Sequence, residues 1–238
     1  MTVYERQREL LNYLKQKHFA TISELAKTVW ASESSVRRDI KALELKGYVK
    51  QIYGGVVLPE YENSVVPVTL RDPSNSAVKE ELAKRAAEYI FDGATVIMDG
   101  SSTVRRIVKY IGNAKRLNII TNNQRIFNTC DNPEIKLYCT GGLFLPQSNI
   151  FVGSAAESYI NSINADILFF SSQALSDSGE ISDASEEECS LRRTMMTRAK
   201  KKIFLCDSSK VGKRRTFALC DKSDVDVIIC DRKLPWEE

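Results

Sequence analysis

Apolar positions in the first sixty residues recur first at helical and then at strand spacing. Over 3–17, Leu10, Leu11 and Leu14 share one face while Arg6, Glu9, Asn12 and Lys15 lie elsewhere, which predicts an amphipathic helix. Phe19–Ile22 reads as extended. Ser23 then reads as the N-cap of a helix Glu24–Trp30 that turns Leu25, Ala26 and Val29 inward. Ser32 is the next N-cap candidate, ahead of a helix Glu33–Lys46 with Val36, Ile40 and Leu43 on its buried face and Gly47 as its stop. Tyr48–Tyr53 alternates, Gly54-Gly55 turns, and Val56–Leu58 pairs back. Helix, short strand, helix, tight turn, helix and hairpin is the order of a winged helix-turn-helix.

Beyond residue 58 the pattern changes twice. Residues 59–75 contain Pro59, Pro67 and Pro73 among polar residues and read as a linker with at most one short ordered piece. From Ser76 onward, helical and strand-like segments alternate. Helices are expected over 79–91, 104–111, after Asn123, and over 154–163 and 187–200. Strands are expected at 95–98, 117–120, 135–138, 167–170, 202–206 and 225–230. This alternation predicts a mostly parallel sheet covered by helices. The expected fold class is therefore α/β: a winged helix-turn-helix over 1–58, a linker over 59–75 and an α/β domain over 76–238.

Charge sharpens the division. Residues 1–58 carry 10 Lys/Arg against 6 Asp/Glu, and the remainder 24 against 25, so the net +3 resides in the first quarter of the chain. That is where a footprint for DNA phosphates belongs. On the helix after Ser32 the apolar positions leave Ser34, Ser35, Arg37, Arg38 and Lys41 outward or beside the outward face, and Lys50 lies on the wing. The first two turns of a recognition helix reach base edges, where arginine bridges guanine O6 and N7 or clamps a phosphate. A lone Arg-Arg pair reads as a solvated helix face. The preceding helix, the tight turn and the glycine wing favour a DNA-reading helix instead.

Other chemistry is limited. The six cysteines are scattered without a C-x-x-C pair and the only histidine is His18, so neither a metal nor a cofactor is expected, and the thiols read as buried and reduced. No apolar run approaches a membrane span and the charged N-terminus does not read as a signal peptide, so a cytoplasmic protein is expected.

The segments Glu24-Leu25-Ala26, Ser35-Val36-Arg37-Arg38-Asp39-Ile40, Leu43-Glu44, Gly47-Tyr48 and Gly54-Gly55 resemble the DeoR family of bacterial sugar-catabolism regulators. That family's helix carries S-x-x-T-I-R-R-D-L; here Ser35, Val36 and Ile40 replace threonine, isoleucine and leucine. The resemblance implies DNA contacts for Arg37 and Arg38. Asp39, which phosphate would repel, reads as an internal salt-bridge partner.

The resemblance extends through the C-terminal domain, which in the family is similar to ribose-5-phosphate isomerase. The family's Asp-x-Gly-Thr-Thr, Thr-Asn, Gly-Gly and Asp-Ser-Ser-Lys marks correspond to Asp99-Gly100-Ser101-Ser102-Thr103, Thr121-Asn122, Gly141-Gly142 and Asp207-Ser208-Ser209-Lys210. Gly100-Ser101 reverse the family's Ser-Gly order. Small residues and hydroxyls between a strand end and a helix suit a phosphate, and ligands of open α/β sheets bind at the carboxyl ends of strands. The effector-binding residues expected are thus Asp99, Gly100, Ser101, Ser102, Thr103, Asn122, Gly141 and Lys210, with Lys210 supplying the compensating charge. Asp183 and Glu186 are candidates for sugar hydroxyls, although the stretch Asp177–Glu188 reads as a solvated loop.

These readings imply a DNA-binding transcriptional repressor modulated by a phosphorylated sugar, a homodimer or tetramer, and not an enzyme. The alternative is a sugar-phosphate isomerase with a DNA-binding appendage. Its Asp-Gly-Ala-Asp-Glu and Lys-Gly-Gly-Gly patterns are missing from Phe170–Leu175 and Ser185–Arg193. A third reading, an architectural DNA-binding protein, would leave the phosphate loop idle.

Overall fold

The computed structural model describes residues 1–238 except Tyr53, 60–67, Pro73, Ser74, Asn113 and Glu238, with Thr69 and Leu70 described by backbone alone. Tyr53 of the expected wing strand and Pro67 and Pro73 of the expected linker thus lie outside the described residues. The chain divides into two compact units, Met1–Val66 and Pro67–Glu238.

In the first unit, α1 (Val3–Lys17) starts from a reciprocal capping box between Thr2 and Glu5 and buries Leu10 and Leu14. β1 (Phe19–Ala20) follows. α2 (Ile22–Thr28) is capped by Thr21, not Ser23: Thr21 Oγ1 accepts the Glu24 N–H at 3.0 Å while Glu24 Oε2 accepts the Thr21 N–H at 2.8 Å. This reciprocal pair moves the helix start ahead of the expected Glu24. Beyond α2, Trp30 adopts φ 51°, with bonds from Trp30 N–H to Lys27 O (3.3 Å) and from Ala31 N–H to Ala26 O (3.0 Å). That is a Schellman-type end whose left-handed position normally holds glycine, yet here an indole occupies it and is 95% exposed.

α3 (Glu33–Leu45) starts at Ser32, as its sequence implies, and Gly47 lies past its end at φ 73°. β2 (Lys50–Ile52) and β3 (Gly55–Val57) complete an antiparallel sheet in the order β1-β3-β2, with Phe19 opposite Val57. A β-carbon at Gly55 would collide with the Ala20 carbonyl and the Phe19 ring, so the close approach of β1 to the wing requires glycine there. Leu10, Leu14, Leu25, Val36, Ile40, Leu43 and Val56 form one core, each buried aliphatic side chain contributing about 1.5–3 kcal/mol.

The second unit opens with α4 (Val68–Arg71), a short helix inside the expected linker, and α5 (Ser76–Ala87). β4 (Thr95–Met98), β5 (Leu117–Thr121) and β6 (Ile135–Cys139) follow, then a hairpin of β7 (Leu143–Leu145) and β8 (Ile150–Val152). Next come α6 (Ser154–Asn161), β9 (Ala165–Phe170), β10 (Ala174–Leu175), β11 (Glu180–Asp183), α7 (Glu186–Arg198), β12 (Ala199–Cys206), β13 (Phe217–Asp221) and β14 (Val227–Cys230). Six strands form a parallel sheet in the order β14-β12-β9-β4-β5-β6. Alternate residues feed opposite faces: Ile97, Leu168, Phe170 and Phe204 enter one core, Met98, Phe169, Ile203 and Leu205 the other. Burial on both faces is the reason these strands read as continuous apolar runs.

Two expected helices are corrected. Residues Val104–Tyr110 form a 3₁₀ helix, and the helix after Asn123 shrinks to the 3₁₀ turn Gln124–Ile126. Val104 and Ile107, three residues apart, both face the core, which suits three residues per turn. The Asp99–Thr103 loop therefore does not open an α-helix, and a helix-dipole argument for it falls away. The expected solvated loop Asp177–Glu188 is also corrected: it contains β11, hydrogen-bonded between β10 and β13, and the first turn of α7.

Candidate DNA-reading face and effector site

α3 presents Ser34, Arg37, Arg38 and Lys41 to solvent, with Ser35 half-buried, while Val36, Ile40 and Leu43 face the core. The Ser32 hydroxyl caps the helix and lies 3.0 Å from both the Ser34 and Ser35 hydroxyls. Arg37 reaches Glu33 at 3.3 Å, and Arg38 donates to Ser35 Oγ at 3.5 Å. Asp39 points the other way, where it accepts from Arg6 at 2.5 Å and Gln7 at 3.4 Å and so ties α1 to α3. That hydrogen bond raises the Arg6 pKa. Glu44 accepts from both the backbone and the side-chain amide of Gln51, at 2.7 and 2.6 Å, and so fixes β2, which carries exposed Lys50, to α3.

In the second unit the strand order reverses beside β4. The chain builds β5 and β6 on one side of β4 and returns to place β9, β12 and β14 on the other. The crevice beyond the carboxyl ends of β4 and β9 is thus a topological switch point, the usual ligand position in such sheets. Three of the four expected elements lie at neighbouring strand ends, Asn122 after β5, Asp99 after β4 and Asp207–Lys210 after β12, and Ser171 after β9, which was not expected, joins them. Ser171 N–H donates to Asp99 Oδ2 at 3.2 Å, and Lys210 Nζ donates to Ser171 Oγ at 2.9 Å. Lys210 also lies 3.4 Å from Asp207, whose pKa stays low because Lys210 and its other partners outweigh burial. Asn123 donates to Gly100 O at 3.1 Å. Asn122 donates to Phe151 O at 2.9 Å, while its Oδ1 is buried without a hydrogen-bond partner among the described residues.

Asp99 itself faces inward. Its carboxylate accepts from Ser101 N–H (3.0 Å) and pairs with Arg192 Nε (2.8 Å). Arg192 also pairs with Asp183 at 2.9 Å and Glu188 at 2.7 Å. Burial works against the charge of this guanidinium, but Asp183, Glu188 and Asp99 outweigh it and hold its pKa well above the ordinary value. Gly100 packs its α-carbon against Ile150, leaving no room for a side chain. Gly141, at φ 64°, has open space around it and makes no described contact with this cluster.

A second ionic hub joins the loop to the start of the unit. Asp72 pairs with Arg105, with Arg106 at 2.6 Å and with Arg125 at 3.0 Å, and Arg106 also donates to the Ser102 carbonyl. Lys79 on α5 is 2% exposed and donates to the Arg71 carbonyl. Burial first, and Lys210 second, lower its pKa to about 7. Arg71 reaches Ser148 Oγ at 3.4 Å, and Ser148 donates to Glu188 at 2.9 Å. Hydrogen bonds thus run from Arg71 through Ser148, Glu188 and Arg192 to Asp99.

Comparison with known proteins accounts for both halves. The DeoR-like helix-turn-helix domain matches residues 6–62, and the DeoR C terminal sensor domain matches residues 74–232. The chain belongs to the DeoR family. The HTH-type transcriptional regulator GolR of Listeria innocua is 31% identical over 98% of this chain and 92% of its own length. An uncharacterized HTH-type transcriptional regulator of Haemophilus influenzae is 34% identical over 97% of this chain and 90% of its own. Among solved structures, ribose 5-phosphate isomerase A of Methanocaldococcus jannaschii matches 58% of this chain and 55% of that one, at 16% identity and a TM-score of 0.42.

This DeoR-family chain is a DNA-binding transcriptional regulator with a C-terminal sensor domain. Among the described residues no helix is long and apolar enough to cross a membrane. Sequence reasoning missed Arg192, Lys79 and the arginines around Asp72. Arg192 and Lys79 sit on helix faces that look polar in sequence, and their partners lie as far as 93 residues away. The paired basic residues Arg105-Arg106 were the visible signal.

Proposed function

We propose that this regulator represses sugar-catabolism genes as a homo-oligomer, and that a phosphorylated sugar bound at the switch point of the sensor domain changes its operator affinity. In this reading residues 1–58 are the DNA-binding head, 59–75 the linker and 76–238 the sensor and oligomerisation domain. Ser34, Ser35, Arg37, Arg38, Lys41 and Lys50 contact DNA, with the two arginines leading.

The observation that carries the effector half is the pair of lysines near the switch point: Lys210 at the end of β12, and buried Lys79, whose charge Lys210 opposes. A phosphate dianion pairs with the Lys210 ammonium and favours the charged form of Lys79 against its burial and the repulsion of Lys210. Ser101, Ser102 and Thr103 supply small hydroxyl-bearing groups, and the unpartnered Asn122 Oδ1 accepts from a sugar hydroxyl. Asp99 serves by fixing the loop, since its oxygens are already engaged. Asp183 and Glu188 are committed to Arg192, which suits a binding site better than a general base and supports the non-enzymatic reading.

The test is a mobility-shift assay on the protein's own promoter with a panel of sugar phosphates, run beside thermal-shift measurements. A sugar phosphate should stabilise the protein and shift its operator affinity, and Lys210→Ala should keep operator binding yet lose the response. Stabilisation by none of the panel, or a normal response in Lys210→Ala, sinks the effector claim. Turnover of a pentose or hexose phosphate would restore the enzymatic alternative.

A further inference from the structure

Cys206 closes β12 and Cys230 closes β14, and the parallel register sets them directly opposite each other. Both side chains enter the same core, so they point to the same side of the sheet. Neighbouring strands run about 4.7–4.9 Å apart, inside the ~4.4–6.8 Å range of α-carbon separations that a disulfide bridges. Cys206 Sγ donates to the Asp207 carbonyl at 3.5 Å and Cys230 Sγ to Asp231 Oδ1 at 3.7 Å, so each sulfur stands at the mouth of its strand end. Cys206 is fully buried, while Cys230 keeps 8% exposure and so gives a small reagent access.

We propose that Cys206 and Cys230 form a reversible disulfide, and that this pair is a modification site for peroxides. The surroundings decide which sulfur reacts first. The Cys206 thiol and the backbone N–H groups of Asp231 and Arg232 support a Cys230 thiolate. The charged groups nearby are Asp231, whose Oδ1 lies 3.7 Å from the Cys230 sulfur, and Lys210 and Asp207 beside Cys206. Arg85 of α5 binds the Cys230 carbonyl at 2.7 Å. The neighbouring Cys206 thiol first, then the backbone of Arg232 and Asp231, bring Cys230 down to about 7 against burial and the Asp231 charge, whereas burial pushes Cys189 and Cys220 up to about 11 and about 12.

The Cys230 thiolate attacks one peroxide oxygen, the O–O bond breaks, and the departing hydroxide takes a proton to leave as water. Cys206, losing its proton, then attacks the sulfenic sulfur and expels a second water. Two thiols are oxidised and one peroxide is reduced. In-register β-carbons sit about one strand spacing apart, wider than the ~3.5–4.5 Å of a relaxed disulfide, so the bond draws the strand ends together and is readily reduced. Those ends carry Lys210 and the contacts of Asp231 with Ser208 N–H (2.6 Å) and Oγ (2.8 Å). An effect of oxidation on the effector response rests on the function proposed above; the disulfide itself does not.

The experiment treats the full-length protein with hydrogen peroxide, then counts thiols after unfolding and maps disulfides by mass spectrometry. Titratable thiols should fall from six to four, the intact mass should drop by about 2 Da, mapping should join Cys206 to Cys230, and dithiothreitol should reverse all three. Cys206→Ser and Cys230→Ser should each abolish this product, and Cys139→Ser should not. A disulfide mapped to other cysteines overturns the proposal. So does retention of both thiols under peroxide that oxidises exposed Cys139. Neither outcome depends on whether a sugar phosphate binds.

Discussion

Arg37 and Arg192 each pair with a glutamate four residues earlier on their own helix, yet the two pairs do opposite work. Arg37 and Glu33 are 63% and 49% exposed, and their 3.3 Å contact lies at the surface. Arg192 and Glu188 are 5% and 3% exposed, and the same guanidinium also holds Asp99 and Asp183. The head keeps Arg37, Arg38 and Lys41 of α3 in solvent and commits Arg6 to Asp39. The sensor commits its central cation to internal carboxylates, where it shapes a loop. Equal spacing in sequence thus says little about what a charge does until burial is known.

The comparison breaks first at Arg192. Arg192→Met strands three buried carboxylates and should cost about 3–5 kcal/mol in a denaturation experiment on the sensor domain, leaving the α-helical head as folded as before. A loss under ~1 kcal/mol would mean that water, not Arg192, satisfies those carboxylates.

Lys79 offers a test through pH. In the folded chain its pKa is about 7, and in the unfolded chain it returns to the ordinary lysine range, so between the two the unfolded chain binds the extra proton. Lys79's contribution to stability should therefore rise with pH across that window and be flat below it. Lys79→Met should flatten the slope, read as the difference between the two proteins in urea midpoints at pH 6.5, 7.5 and 8.5. An unchanged slope would remove Lys79 from the buried cations.

On the exposed side, Arg38→Ala should weaken operator binding by about 1–3 kcal/mol, roughly five- to 150-fold, with no change in melting temperature. Trp30→Gly should raise the stability of the head by about 1 kcal/mol, because the left-handed position no longer carries a side chain and no buried contact is lost. The smallest effect belongs to the pair that opened the contrast. Glu33→Gln, which removes Arg37's partner and leaves the arginine in place, should shift stability by no more than about 0.5 kcal/mol.

How much of this was readable in the sequence depended on range. α3, its Ser32 cap and its outward residues follow from spacing within thirteen residues, and they appear as read. The start of α2 was readable too, in Thr21-Ile22-Ser23-Glu24, where a capping box outranks a single serine. β7, β8, β10 and β11 were missed because runs of two to four residues carry no period, and the five-residue β13 was missed because its burial does not alternate. At the effector site, the strand ends were legible and the switch point was not, since strand order belongs to the whole sheet. Asp99 shows the limit most sharply: the motif placed it correctly, but only the fold turns it toward Arg192.

Among the described residues, Leu10 to Leu58 supply the buried side chains of the head's core, and β1 pairs with β3 to close it. That cluster draws its described members from the first unit alone. On the ribosome the head is therefore complete while most of the chain is still unmade, and at about 5–20 residues per second the interval lasts on the order of ten seconds or more. During that time the nascent chain has a finished DNA-reading surface and no sensor to govern it.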